Sequence, residues 1–222
     1  MSGDRQLTFD LGHRPAFGRD DFLVAPGNRE AVEWIDRWPQ WTSHALAIFG
    51  PAGCGKSHLV HVFALRTGAR VLSAADVTTA NVPTLVEGHA ALALEEGDAV
   101  ADPRGLLHLY NTVKERGGHL LLTSREPPAR WPVELPDLKS RMASVPAVRI
   151  APPDDAMMEA VLVKLFADRQ IAVTPDVIAY LLRHMDRSFA AARHVVAEAD
   201  NAALAGKRAV TVPLIKQVLG LV

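Results

Sequence analysis

A single cysteine in 222 residues excludes an internal disulfide and suits a reducing compartment. Neither charge is in excess. The 24 Lys plus Arg stand against 25 Asp plus Glu, so no global field draws the chain to nucleic acid or to an anionic membrane, and direct DNA contact is disfavoured. The opening Met1-Ser2-Gly3-Asp4-Arg5-Gln6 lacks the apolar core of a secretion signal, and no apolar run approaches the length that crosses a bilayer. The expectation is a cytoplasmic protein. Internal repeats and low-complexity tracts are missing too. What remains is a chain with 49% apolar residues, enough for one large α/β domain and a smaller appendage.

The most informative stretch is Ala45-Leu46-Ala47-Ile48-Phe49 followed by Gly50-Pro51-Ala52-Gly53-Cys54-Gly55-Lys56-Ser57, an apolar strand running into a phosphate-binding loop. Glycines let the backbone curl until successive N–H groups point at phosphate oxygens, and the helix that follows adds the positive end of its dipole. In this arrangement Lys56 neutralises β- and γ-phosphate charge. Ser57 offers a hydroxyl to Mg²⁺, a hard cation that keeps several waters and needs only one or two protein oxygens. Cys54 occupies a free position of the signature. The helix from His58 to Thr67 carries Leu59, Val60, Val62, Phe63 and Leu65 and stops at Gly68. An ordinary glycine-rich turn is the bland alternative.

Further along, 70–74, 90–94, 119–124 and 148–150 read as short buried parallel strands. The amphipathic run 106–116, closed by Gly117-Gly118, supplies a crossover helix. Pro152-Pro153-Asp154-Asp155 breaks this alternation and caps a new helix. From there only helical patterns follow, over 156–170, 175–184, 188–204 and 213–219. The fold class is therefore α/β, a P-loop parallel sheet with helices on both faces, followed by a small all-helical unit. We divide the chain into an extended arm (1–21), a nucleotide-binding α/β domain (22–151) and a helical domain (152–222).

An acid at the end of a neighbouring strand would organise Mg²⁺ and polarise water, and Glu95-Glu96 stand there, with a pair of solvated acids as the plainer reading. Thr123 and Ser124 end the next strand, where hydroxyls face the terminal phosphate or merely cap the strand. Arg141, in the short helical segment 135–142, projects near the domain edge, where it can act on a neighbour's nucleotide or is an ordinary surface arginine. In the arm, Gln6, Leu7, Thr8, Phe9, Asp10 and Leu11 alternate apolar with polar, as an edge strand or as a peptide that fills a partner's pocket. His58 and His61 lie one helical turn apart without a third metal ligand at a convincing spacing. Trp34, Trp38 and Trp41 are expected to pack a helix over 29–38 onto the sheet. Phe22-Leu23-Val24 leads into it, either as core or as an apolar seat for the nucleotide base.

The phosphate loop, the Leu-Thr-Ser-Arg-Glu-Pro-Pro stretch at 122–128, the 135–142 segment and the helical tail together resemble the AAA+ ATPases of the DnaA replication-initiator family, over almost the whole chain. With Val222 following the helical unit and no DNA-binding helix-turn-helix after it, the resemblance is to the DnaA-homologous regulators that inactivate the initiator. It implies that Gly50, Gly53, Gly55, Lys56 and Ser57, with Pro51, Ala52, Cys54 and His58 beside them, hold ADP or ATP with Mg²⁺. It makes Thr123 a polar sensor, Arg141 an arginine finger presented to ATP held by DnaA, and the helical unit a lid. The arm is similar to the peptide with which such regulators bind the sliding clamp, the β subunit of DNA polymerase III, so that DNA is met only through the clamp. Two departures accompany this. Glu95 stands where Asp is expected, which points to weak intrinsic ATPase activity, and the lid's sensor arginine aligns with Ala190, flanked by Arg187 and Arg193. The function implied is negative regulation of replication initiation. A free-standing AAA+ ATPase of the helicase-loader or DnaA-like type and a non-catalytic adaptor are the alternatives, and a homodimer is left open.

Overall fold

A computed structural model describes residues 24–221; the arm with its Gln6–Leu11 peptide, together with Phe22 and Leu23, lies outside the described residues. Five parallel strands form one sheet: β1 (Ala45–Phe49), β2 (Arg70–Leu72), β3 (Ala91–Leu94), β4 (His119–Ser124) and β5 (Ala147–Arg149), in the order β2-β3-β4-β1-β5. Around them run α1 (Arg29–Asp36), α2 (Lys56–Thr67), α3 (Val82–Leu85), α4 (Pro103–Glu115) and α5 (Pro136–Ser144). The lid follows as α6 (Asp155–Asp168), α7 (Pro175–His184), α8 (Phe189–Gly206) and α9 (Val212–Val218).

Period-2 alternation along apolar strands sends successive side chains to opposite faces, and here both faces are covered. On one face Ala45, Ala47, Leu92, Leu94, Leu120 and Leu122 pack with Leu106, Leu109, Tyr110 and Val113 of α4 and with Leu138 and Met142 of α5. On the other, Leu46, Ile48, Ala91, Ala93 and Leu121 meet Leu59, Val60 and Phe63 of α2 and Ala31, Val32 and Ile35 of α1. The lid encloses a third cluster of its own, built on Leu162, Phe166, Leu181, Val196 and Ile215. No helix among the described residues is long and apolar enough to cross a membrane.

Several boundaries differ from the sequence reading, each for a local reason. β2 ends at Leu72 rather than 74 because Ser73 turns the chain, its N–H and hydroxyl both donating to Asp76 Oδ2 at 2.7 Å. α4 starts at Pro103, not 106, because Asp102 caps it through an acceptor bond from the Gly105 N–H at 2.9 Å. α1 stops at Asp36, before the Trp38-Pro39 pair. β5 is shifted one residue early, and the short α3 was not anticipated at all. Trp38 and Trp41 pack between the α2 ring Phe63, with centroids 6.2 and 5.5 Å away and Trp41 stacked upon it, and the β4 ring His119, at 5.9 and 5.6 Å. Trp34 is partly buried beside the same cluster, so the tryptophans fasten the entry segment to α2 and the sheet beneath it.

Candidate nucleotide site at the seam of the two domains

In a parallel sheet the crevice beyond the carboxyl ends of the strands is the ligand side. Here that crevice is closed from above by the lid, leaving a cavity of about 560 Å³. β1 delivers the loop 50–55 into it. Gly53 (φ +74°) and Gly55 (φ +105°) adopt left-handed backbone that side chains rarely tolerate, and Gly55 is also the residue before α2, whose dipole therefore begins at the cavity. A Cβ on Gly50 would lie 2.4 Å from the Ile150 carbonyl oxygen, so the loop is pressed against β5's end. Lys56 Nζ donates to the carbonyls of Gly50 (2.7 Å) and Pro51 (2.8 Å), which arches the loop around its own cation.

Ala52, Gly53, Gly55, Lys56, Ser57 and His58 face the cavity. Gly50, Pro51 and Cys54 do not line it. Cys54 is buried, its thiol pushed up by that burial despite Lys56 nearby, which fits a packing role. Glu95 and Thr123 both reach the cavity from the ends of β3 and β4. The Thr123 hydroxyl oxygen accepts from the Glu96 N–H at 3.3 Å, tying the two strand ends together, while Ser124 donates to the Glu126 carbonyl at 2.7 Å and is a strand-end cap. Among the described residues no group of three His, Cys, Asp or Glu could hold a metal by itself. For Mg²⁺ bound through phosphate and water the Ser57 hydroxyl with an acid such as Glu95 in the same cavity is a fitting donor set.

The lid contributes α6 and the start of α8. Ser188 caps α8 by accepting the Ala191 N–H at 3.1 Å, which fixes the helix phase so that Phe189, Ala190 and Arg193 face the cavity. The contact with the loop is direct: the Phe189 N–H donates to the Gly53 carbonyl at 3.3 Å, and a Cβ on Gly53 would stand 2.3 Å from the Ser188 Cβ. Of the two flanking arginines only Arg193 faces the cavity, and it makes no ion pair among the described residues. Arg187 is turned away into an ion pair with Asp155 at 2.9 Å. For Val24 the core alternative holds. It packs on the cluster beneath α1 and takes no part in lining the cavity.

Arg141 lies elsewhere. It is exposed on α5 without an ion pair among the described residues, and its charge, with that of Lys114, presses on His44, just before β1. Burial and those cations hold the His44 imidazole below its ordinary value. His44 and the phosphate loop flank opposite ends of β1, a five-residue strand. At ~3.3 Å per residue that is about 16 Å of strand. Sequence reasoning passed over Phe189 and Arg125, which also line the cavity; the Ser188 cap would have given the phase that selects Phe189 and Arg193.

A parallel sheet with a glycine-rich loop at the end of β1, acid and hydroxyl at the ends of β3 and β4, and a helical lid over all of them is the fold of a AAA+ module. Residues 155–219 match the family model of the Hda lid domain. The structure is similar to domain III of the replication initiation protein DnaA from Thermotoga maritima, with a TM-score of 0.76 at 17% identity, over 93% of this chain and 97% of that one. AMPPCP-bound DnaA from Aquifex aeolicus gives 0.65 at 22% identity, over 83% of this chain and 65% of that one. The Thermotoga maritima RuvB Holliday junction branch migration motor gives 0.63 at 14% identity, over 80% and 61%. The family match is thus confined to the lid, and the likeness to these solved structures shows a shared fold.

Proposed function

We propose that this protein is a DnaA-related negative regulator of replication initiation, which binds adenine nucleotide between its domains and accelerates hydrolysis of ATP held by DnaA. The observation that carries the reading is the placement of Arg141. A guanidinium at the far end of β1 from the protein's own phosphate loop, exposed and without an ion pair among the described residues, serves another molecule's nucleotide rather than its own. Charge that develops on a transferring phosphoryl group is stabilised by such an arginine supplied in trans, on the order of 10³ to 10⁵ in rate.

In this reading Gly53, Gly55, Lys56, Ser57 and Arg193 hold ADP with Mg²⁺, and Glu95 and Thr123 attend the terminal phosphate position. The bound nucleotide sets the lid instead of fuelling fast turnover. The Gln6–Leu11 peptide docks on the sliding clamp, which brings Arg141 to DnaA near DNA. The test is hydrolysis of DnaA-bound ATP, reconstituted with clamp on DNA. Arg141→Ala is expected to abolish stimulation, and full stimulation by that variant refutes the finger. Leu7→Ala with Phe9→Ala is expected to abolish clamp pull-down; unchanged binding removes the arm from the scheme. Glu95 and Thr123 facing one cavity also suit a free-standing ATPase, which rapid turnover by the protein alone would reveal.

A further inference from the structure

Trp131 follows the 3-10 turn Pro128–Arg130 and is 5% exposed, an aromatic ring with no place in any nucleotide-binding signature. Its surroundings join two regions that the fold otherwise keeps apart. At one end the ring touches the acid turn after β3. Gly97 there packs so closely that a Cβ would lie 2.7 Å from Trp131 Cη2. The preceding residue, Glu96, sits in left-handed backbone (φ +52°), held by its N–H to the Thr123 hydroxyl. At the other edge the indole N–H donates to the Glu126 carbonyl at 3.0 Å, the same oxygen that takes the Ser124 hydroxyl at 2.7 Å. The ring thus rests on the turns that follow both β3 and β4, where Glu95, Glu96, Thr123 and Arg125 line the cavity.

The rest of Trp131 belongs to the core cluster that contains Leu138 and Met142, each 1% exposed, on the buried face of α5. Arg141 is on the exposed flank of that same short helix, about 60° round from Leu138 and 100° from Met142. Close-packed interiors transmit displacement because no voids absorb it. A shift of the acid turn under a bound phosphate therefore reaches the ring tip, and a ring that yields presses on the cluster that the buried face of α5 shares.

We infer that Trp131 is a positioning residue which carries the state of the protein's own nucleotide site to α5 and so sets how Arg141 is offered. The inference rests on the reading above that Arg141 acts on a partner's nucleotide. It gives the resident nucleotide a route of about one side chain to the finger, and makes the finger's readiness depend on which nucleotide is bound.

The test uses the full chain with ADP and Mg²⁺, read by intrinsic tryptophan emission and by DnaA-bound ATP hydrolysis with clamp on DNA. Wild type is expected to change emission on binding ADP, and Trp131→Phe to lose that change while calorimetry still registers ADP. Gly97→Ala drives a methyl into the ring and is expected to bind ADP yet lose about 2- to 30-fold of the stimulation, the span of measured coupling effects. Trp131→Phe in the Gly97→Ala background removes the overlapping Cη2 and is expected to restore much of it. Emission indifferent to bound ADP, or Gly97→Ala stimulating like wild type, overturns the relay. Arg141→Ala is run alongside: if it too stimulates fully, the finger reading itself has failed, whereas an inactive Arg141→Ala beside an unaffected Gly97→Ala sinks the relay alone.

Discussion

Gly53→Ala separates two constraints that meet at one atom. The first is backbone: Gly53 has φ +74°, where an L side chain costs about 1–2 kcal/mol, or roughly 5- to 30-fold in whatever equilibrium needs that conformation. The second is the lid. The new methyl would lie 2.3 Å from Ser188 Cβ, whereas carbon atoms settle at ~3.5–4.0 Å, so the start of α8 must retreat by more than ~1 Å. Such a retreat breaks the 3.3 Å bond from the Phe189 N–H to the Gly53 carbonyl and withdraws Arg193 from the cavity. Gly53→Ala is therefore expected to weaken ADP binding by at least the backbone factor, and by more where the lid contact is lost. Calorimetry of a double-mutant cycle with Ser188→Gly isolates the steric part. Gly at this N-cap costs only a few tenths of a kcal/mol, and it removes the clashing Cβ. The double variant should bind ADP more tightly than Gly53→Ala alone, though not as tightly as wild type. Additive effects in the cycle, or wild-type affinity in Gly53→Ala, would show that the lid does not seat on the loop as described.

Asp102 accepts bonds from Gly105 N–H, Thr79 N–H and the Thr79 hydroxyl, which hold its carboxyl down at about 2. Its stabilising contribution is present above the ordinary value of 3.8 and is lost as pH falls from there through about 2. Asp102→Ala should thus be less stable than wild type in urea at neutral pH, and the gap should narrow progressively in acid below pH ~4. Arg193→Ala should weaken nucleotide binding measured with a fluorescent ADP, while Arg187→Ala, which loses only an exposed pair with Asp155, should bind as wild type does. Phe166, with no exposed surface at the centre of the lid, is expected to cost about 3–5 kcal/mol when changed to Ala, seen as early loss of lid protection in hydrogen exchange.

Much of the arrangement was legible in the residues. The loop 50–57 announces itself because phosphate recognition by backbone needs glycines at fixed offsets, and the runs that became β1, β3 and β4 announce themselves because strands buried on both faces must be apolar throughout. Less visible was everything decided by side chains far apart in sequence. Ser73 ends β2 through Asp76, and Asp102 starts α4 early, both by local hydrogen bonds that periodicity does not register. The choice between Arg187 and Arg193 depends on the phase of α8 and on Asp155, 32 residues away from Arg187. Trp131 gave no signal because its importance lies in touching Gly97, a contact that only the folded chain creates.

Among the described residues the lid's interior draws on no residue of the sheet, and the lid meets the phosphate loop through the seat of Ser188 and Phe189 on Gly53 and Gly55. A segment so self-contained can be handled as a cassette. Splicing 155–219 from a relative onto this sheet should preserve folding of both halves, and leave the junction at two glycines, Gly53 and Gly55, as the place where a graft succeeds or fails.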